Sequence, residues 1–251
     1  MGSLDYDKLA DIYDQQRALS EEKELLWVNL LKKHLALDER SRVLDVGCGT
    51  GRFAIAIRKH LQCSVVGVDP SSFMLAKAKG KSVAGITWLQ GRAETLPFPK
   101  GTFGACFASQ VVHHFDDKHQ AFAEVYRVLC ESGRVGIRYS SHAELRASPD
   151  YRFFPTALLI DLERMPDTPQ IKDILQKVGF GLLEERSIRQ QFFESSQDYL
   201  DKMKSKYGSV LSLISEEEYQ EGLQAAVAYF QTHEIQGNEK NAYMTFLVGI
   251  K

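Results

Sequence analysis

The sequence predicts an α/β fold: a mostly parallel sheet of seven strands with helices on both faces, N-terminal helices, and a helical cap in the C-terminal half. Three observations carry this. Between Arg42 and Tyr139 short apolar runs alternate with amphipathic stretches of roughly ten residues, the rhythm of right-handed βαβ crossovers. The first apolar run ends in a glycine-rich turn that opens directly into a helical pattern, the arrangement by which an open parallel sheet binds ligands at its strand ends. After Ser140 the rhythm breaks, and helical stretches precede a last alternating run.

Taken in order, residues 1–40 read as helices. Leu4, Leu9, Ile12 and Tyr13 share one face, and Leu25, Leu26, Val28, Leu30, Leu31 and Leu35 form a second stripe. Ser20 followed by Glu21 and Glu22 marks a helix start. Strands are expected at Val43–Val46, Ser64–Val68, Ile86–Leu89, Phe103–Ser109 and Gly133–Tyr139, with helices at Arg52–Leu61, Ser71–Lys79 and Lys118–Leu129. Beyond them, Pro149, Pro155 and Pro166 surround a short helix at Thr156–Arg164, and Ile171–Val178 is a helix stopped by Gly179. Leu182–Phe193 and Ala242–Ile250 read as strands, and residues 195–230 as largely helical, with breaks near Gly208 and Ser215. The expected organisation is N-terminal helices over 1–40, a ligand-binding core over 41–140, and the cap with the last strands over 141–251.

Composition narrows the class. The 251 residues are 44% hydrophobic and 25% charged, as in an ordinary globular chain. A net charge of −2 argues against nucleic acid as a partner, because phosphate-backbone binding needs a basic excess. The expected partner is instead a small molecule; oligomeric state is not legible. The longest apolar runs fall short of the ~20 residues of a membrane span, and the polar, acidic start is not a secretory signal. Cys48, Cys63, Cys106 and Cys130 are scattered without a CxxC pair, which points to reduced thiols, no metal site and a cytoplasmic location.

The strongest local signal is Val43-Leu44-Asp45-Val46-Gly47-Cys48-Gly49-Thr50-Gly51-Arg52-Phe53. Glycines at 47, 49 and 51 let the backbone turn sharply and approach a ligand where a Cβ would collide. A dinucleotide loop places its third small residue at the sixth position of G-x-G-x-x-G, where Arg52 stands here. Asp45 is poorly placed for a pyrophosphate and well placed for the α-amino group of a methionine moiety, directly or through water, so the spacing favours S-adenosylmethionine. Asp69, in Val65-Val66-Gly67-Val68-Asp69-Pro70-Ser71, follows Gly47 at close to the ~20-residue offset at which an acid meets ribose hydroxyls. It reads alternatively as a turn or cap residue, and Met74 reads equally as an adenine contact or as core. Two further loops, Gln90 to Pro99 and Phe107 to Phe115, end the third and fourth strands and reach the same crevice.

In this order the four elements resemble the class I methyltransferases of the Rossmann-like fold. The likeness is to the subgroup around the ubiquinone and menaquinone C-methyltransferases, which reads D-V-G-C-G-T-G, V-x-G-x-D, G-D-A-E-x-L-P-F and S-x-x-x-H-H. It covers about Tyr6 to Tyr139. It implies S-adenosylmethionine as cofactor, S-adenosylhomocysteine as its product and methyl transfer as the activity. Carried over by resemblance, Tyr6 and Tyr13 belong to a helix that closes over the cofactor, and Gly47, Gly49 and Thr50 line its methionine end. Asp69 and Pro70 meet the ribose, Arg92, Ala93 and Glu94 flank the adenine, and Ser109 and Gln110 lie near the sulfonium. Arg92 departs from the acid the family often has, and Cys130-Glu131-Ser132-Gly133 replaces K-P-G-G, a change expected to alter only a turn.

A bound sulfonium is an activated donor, so alignment is the main task; only a poor nucleophile needs a base. His114, beside His113 at the end of the fourth strand, is the candidate base. The plainer reading is that one histidine packs under a helix and the other bonds a carbonyl. Tyr151, Phe153, Phe154, Phe192, Phe193, Tyr199 and Tyr229 make the cap aromatic, suiting an apolar or planar acceptor or simply a core. Two alternatives stand beside the enzyme: a catalytically silent binder of the same cofactor, and an NAD-dependent oxidoreductase.

Overall fold

A computed structural model describes residues 20–251 other than Ser82 and Gly208, without the side chain of Asp150. The helix expected before Ser20, with Tyr6 and Tyr13, lies outside the described residues. Helix α1 (Glu21–His34) starts as expected: Ser20 accepts from the Lys23 amide, and three glutamates occupy the positive end of the dipole.

Five strands, β1 (Arg42–Val46), β2 (Ser64–Asp69), β3 (Ile86–Gln90), β4 (Phe103–Ser109) and β5 (Leu129–Tyr139), run parallel. With β6 (Gly181–Gln191) and β7 (Asn241–Ile250) they form a seven-stranded sheet of order β3-β2-β1-β4-β5-β7-β6. Only β7 runs antiparallel to its neighbours β5 and β6. Strand order reverses between β1 and β4, so the crossovers diverge there and leave a crevice at the strands' carboxyl ends.

Helices cover both faces, which is why β1, β2 and β4 are apolar almost throughout. On one face Trp27 and Leu31 of α1, with Phe53 and Ile57 of α2 (Arg52–Leu61), pack on Val43, Val65 and Phe107. The opposite face sets Phe122 and Val125 of α4 (Lys118–Val128), with Ile171 and Leu175 of α7 (Thr168–Val178), against Leu44, Cys106 and Ile137. Helix α3 (Ser72–Gly80) joins β2 to β3. Helices α5 (His142–Ala147) and α6 (Pro155–Arg164) follow β5, and α8 (Ser196–Lys204) and α9 (Glu216–Phe230) lie between β6 and β7. Around Phe154, Phe193, Tyr199, Met203 and Tyr219 these cap segments build a separate apolar core.

Three features differ from expectation. Helix α5 was hidden by its six-residue length, although Ser141 and Glu144 form a reciprocal capping box. Helix α7 begins at Thr168, because Pro169 sits in the first turn, where its missing N–H costs nothing. The segment Cys130 to Gly133 is not a turn ahead of a strand: β5 already starts at Leu129. Ser132 has a φ of +62°, and the pairing jumps from Phe103–Leu129 to Ala105–Arg134, so the irregularity is taken up inside the strand. All four cysteines are unpaired. None of the described helices is long and apolar enough to cross a membrane.

Candidate active site

The glycine loop hooks over the end of β2, where the Gly47 and Cys48 amides both donate to the Val68 carbonyl at 2.8 and 3.0 Å. Gly47, Gly49 and Gly51 all have positive φ, at +68°, +54° and +81°. At two of these positions glycine is needed by the protein's own packing. A Cβ on Gly47 would sit 2.2 Å from Val111 Cγ2, and one on Gly51 2.3 Å from Trp88 Cη2, so protein packing already requires these glycines. A Cβ on Gly49 would meet nothing within 4 Å, so Gly49 alone borders open space. Thr50 is buried, and its carbonyl accepts from Lys81 Nζ at 2.8 Å.

Asp69 ends β2 with 8% of its surface exposed. Its Oδ2 accepts from the Gly49 amide at 2.8 Å and its Oδ1 from the Ser71 amide at 2.9 Å. The carboxylate is thus clamped between the glycine loop and the entry to α3, and each oxygen keeps further lone-pair capacity. Burial raises its pKa, against the pull of these two bonds. Asp45 is buried deeper, at 2% exposure, with Oδ2 accepting from the Ala54 amide at 3.1 Å. Burial, with a smaller push from Asp69, raises its carboxyl to about 7, and the Ala54 bond and Arg52 oppose the shift. Asp45 therefore lies inside the crevice wall.

Pro70 is exposed beside Asp69, and Met74 is buried in α3 with Leu75 and Ala78. In the third loop Ala93 is buried, while Arg92 is exposed and pairs with Asp116 and with Glu94. Glu94 Oε1 also accepts from the Asp116 amide at 2.8 Å. Arg92 is thus held in an ionic cluster with Glu94 and Asp116, the last a residue the sequence reading passed over.

At the end of β4, Ser109 Oγ accepts from Arg138 at 3.3 Å, and Gln110 takes a φ of +53°. His113 and His114 follow in a tight turn, their ring centroids 3.8 Å apart. Both histidines border a cavity between this edge and the cap, enclosing about 1100 Å³ with its open mouth included. Of the aromatic cap residues, Tyr151 and Phe192 reach that cavity, while Phe154, Phe193 and Tyr199 form the cap core and Tyr229 stacks on His233 at 4.2 Å.

Sequence reasoning missed four charged residues on the cavity wall: Arg138, Glu144, Asp161 and Arg164. Arg138 is only 4% exposed and lies 4.7 Å over the Trp27 ring. Its signal was a lone charge in the buried run Val135 to Tyr139. Asp161 pairs with Arg164 and accepts from the Tyr151 hydroxyl; its i,i+3 spacing to Arg164 was visible, its burial was not.

Residues 44–137, from the middle of β1 to the end of β5, match the methyltransferase domain family. Residues 44–137 are a class I methyltransferase domain. The chain is 34% identical over 133 residues to an uncharacterised methyltransferase of Bacillus subtilis, covering 51% of each chain. It is 35% identical over 138 residues to the demethylmenaquinone methyltransferase of Lactiplantibacillus plantarum, covering 52% of this chain and 58% of that one. The chain thus spans little more than half the length of these curated relatives. A structure from Anabaena variabilis, described as a methyltransferase of an antibiotic biosynthesis pathway, superposes with a TM-score of 0.78 at 20% identity, covering 93% of this chain and 98% of that one. The Haemonchus contortus phosphoethanolamine N-methyltransferase 2, solved with S-adenosyl-L-methionine, gives 0.64 at 20% identity, covering 98% and 57%. The structural likenesses establish the fold.

Proposed function

We propose that the chain transfers the methyl group of S-adenosylmethionine to a small-molecule acceptor lodged in the cap cavity. The observation that carries this is the Asp69 carboxylate clamped by the Gly49 and Ser71 amides, beside the one loop glycine whose missing Cβ faces open space. The bare Cα of Gly49 next to a fixed acid suits an adenosyl group: Gly47, Gly49 and Thr50 border the methionine end, and Asp69 accepts from the ribose hydroxyls. Arg92, Ala93 and Glu94 flank the adenine, Ser109 borders the reacting end, and Tyr6 and Tyr13 cover it. The relatives' names, demethylmenaquinone methyltransferase among them, support a small and quinone-like acceptor.

When bound, the cofactor supplies a methyl carbon on a positively charged sulfur that departs with the bonding pair. The chain's part is to hold the acceptor in line with that carbon and to keep water out, which the cap does from the far side of the cavity. His114 takes the proton released by an O–H or N–H acceptor. With the true acceptor, His114→Ala is expected to lower kcat about 100-fold; a fall of less than about threefold removes the base role. The activity itself is tested by incubating the chain and radiolabelled S-adenosylmethionine with a metabolite extract. Label is expected in a new low-molecular-weight product, whereas binding of the cofactor with no labelled product reduces the chain to a silent binder.

A further inference from the structure

One residue of the cavity wall, Gln110, carries a buried polar atom that the described protein leaves without a partner. Gln110 Oε1 is buried and has no hydrogen-bond partner among the described residues. The other end of the same amide is engaged: Nε2 donates to Ser140 Oγ at 3.3 Å and lies 3.8 Å from Met244 Sδ. A thioether sulfur accepts but cannot donate, so the nitrogen is the end that belongs next to Met244 and the oxygen is the end left over. Gln110, Ser140 and Met244 all border the cavity.

The backbone singles out the same residue. Gln110 is held at a φ of +53°, where a side chain is strained, and its amide donates to the Arg138 carbonyl at 2.7 Å, which keeps the chain in that turn. Both carboxylates on the cavity wall are already engaged: Asp161 with Tyr151 and Arg164, and Glu144 with Ser187 and Thr245 at 2.8 and 2.7 Å. An unbonded buried carbonyl destabilises the empty protein, and a ligand donor relieves that cost.

We infer that Gln110 orients the methyl acceptor rather than the cofactor: its Oε1 accepts a hydrogen bond from an O–H or N–H hydrogen of the acceptor other than the one His114 removes, and so selects hydroxyl- or amine-bearing compounds over analogues of the same shape. The inference rests on the cavity being the acceptor site of the reaction proposed above. The amide remains neutral and takes no proton; it fixes the direction of the donor group. A site built around such a bond rejects the analogue without it, because the oxygen is then buried unpaired.

The test uses the full chain saturated with S-adenosylhomocysteine and two bicyclic probes of matched shape, 2-naphthol and 2-methylnaphthalene. Wild type is expected to bind 2-naphthol at least about 10-fold more tightly. Gln110→Met, which keeps length and removes the acceptor, is expected to bring the preference below about twofold, and Gln110→Glu to retain it. Gln110→Ala replaces Gln110→Met if that variant does not fold. An equal preference in wild type and the apolar variant, no preference in wild type, or no binding of either probe overturns the inference. Loss of S-adenosylhomocysteine affinity in Gln110→Met also overturns it, by placing the residue in the cofactor site. A wild-type chain that does not bind S-adenosylhomocysteine at all sinks the underlying reading instead.

Discussion

Asp45 couples this fold to pH. Its carboxyl titrates near 7 in the folded chain because it is buried, against an ordinary value of 3.8. Between those values the folded chain holds a proton that the unfolded chain has released. Asp45 therefore costs no stability below about pH 4, and its cost grows as pH climbs toward and through 7. Asp45→Asn keeps an oxygen for the Ala54 amide and removes the charge. Wild type is expected to lose stability relative to this variant as pH rises from about 4 to 8, by on the order of 4 kcal/mol, read by denaturant titration at each pH. Parallel pH curves would remove the claim. At this scale the sequence was informative where the partners were close along the chain: the glycines, Asp45 and Asp69 belong to two short strand-end motifs. It was silent where the partner arrives from far away, as when Asp116 pairs with Arg92 or Arg138 settles over Trp27. Gln110 was visible as a motif residue, but its orphaned oxygen depends on Ser140 and Met244, which only the folded sheet brings to it.

Within the elements, Gly222 tests how tightly the cap is built. On an isolated helix such as α9, Ala would be preferred over Gly by about 1 kcal/mol. In the cap a Cβ there would lie 2.4 Å from the Phe153 carbonyl oxygen and 2.6 Å from Phe154 Cε1. The carbonyl is backbone and cannot step aside, so the clash outweighs propensity. Gly222→Ala is expected to destabilise the chain by about 1–3 kcal/mol in chemical denaturation, and a variant at or above wild-type stability would show the cap to be loosely packed. Most elements were legible because each carries its own period and stop signal, as Gly179 does at the end of α7 in the left-handed conformation. Helix α5 escaped because a six-residue helix shows less than two turns of periodicity, and the start of β5 because Leu129 closes a helical pattern and opens a strand at once.

For the whole molecule, the parallel half of the sheet followed from crossover handedness, whereas the insertion of β7 between β5 and β6 did not, since no local pattern specifies pairing across some 50 intervening residues. That insertion matters for function: it places Met244 and Ala242 of β7 on the cavity wall, opposite the cap helices. The crevice at the carboxyl ends of β1 and β2, beside Gly49 and Asp69, is the proposed seat of the adenosyl ligand. Calorimetric titration tests it most directly, with S-adenosylhomocysteine and, separately, NADH added to wild type and to Gly49→Val, whose side chain would project into the open space. Saturable one-to-one binding of S-adenosylhomocysteine is expected in wild type, at least about 10-fold weaker in the folded variant, with no heat from NADH. Wild type that ignores S-adenosylhomocysteine, or that binds NADH in its place, would contradict the account.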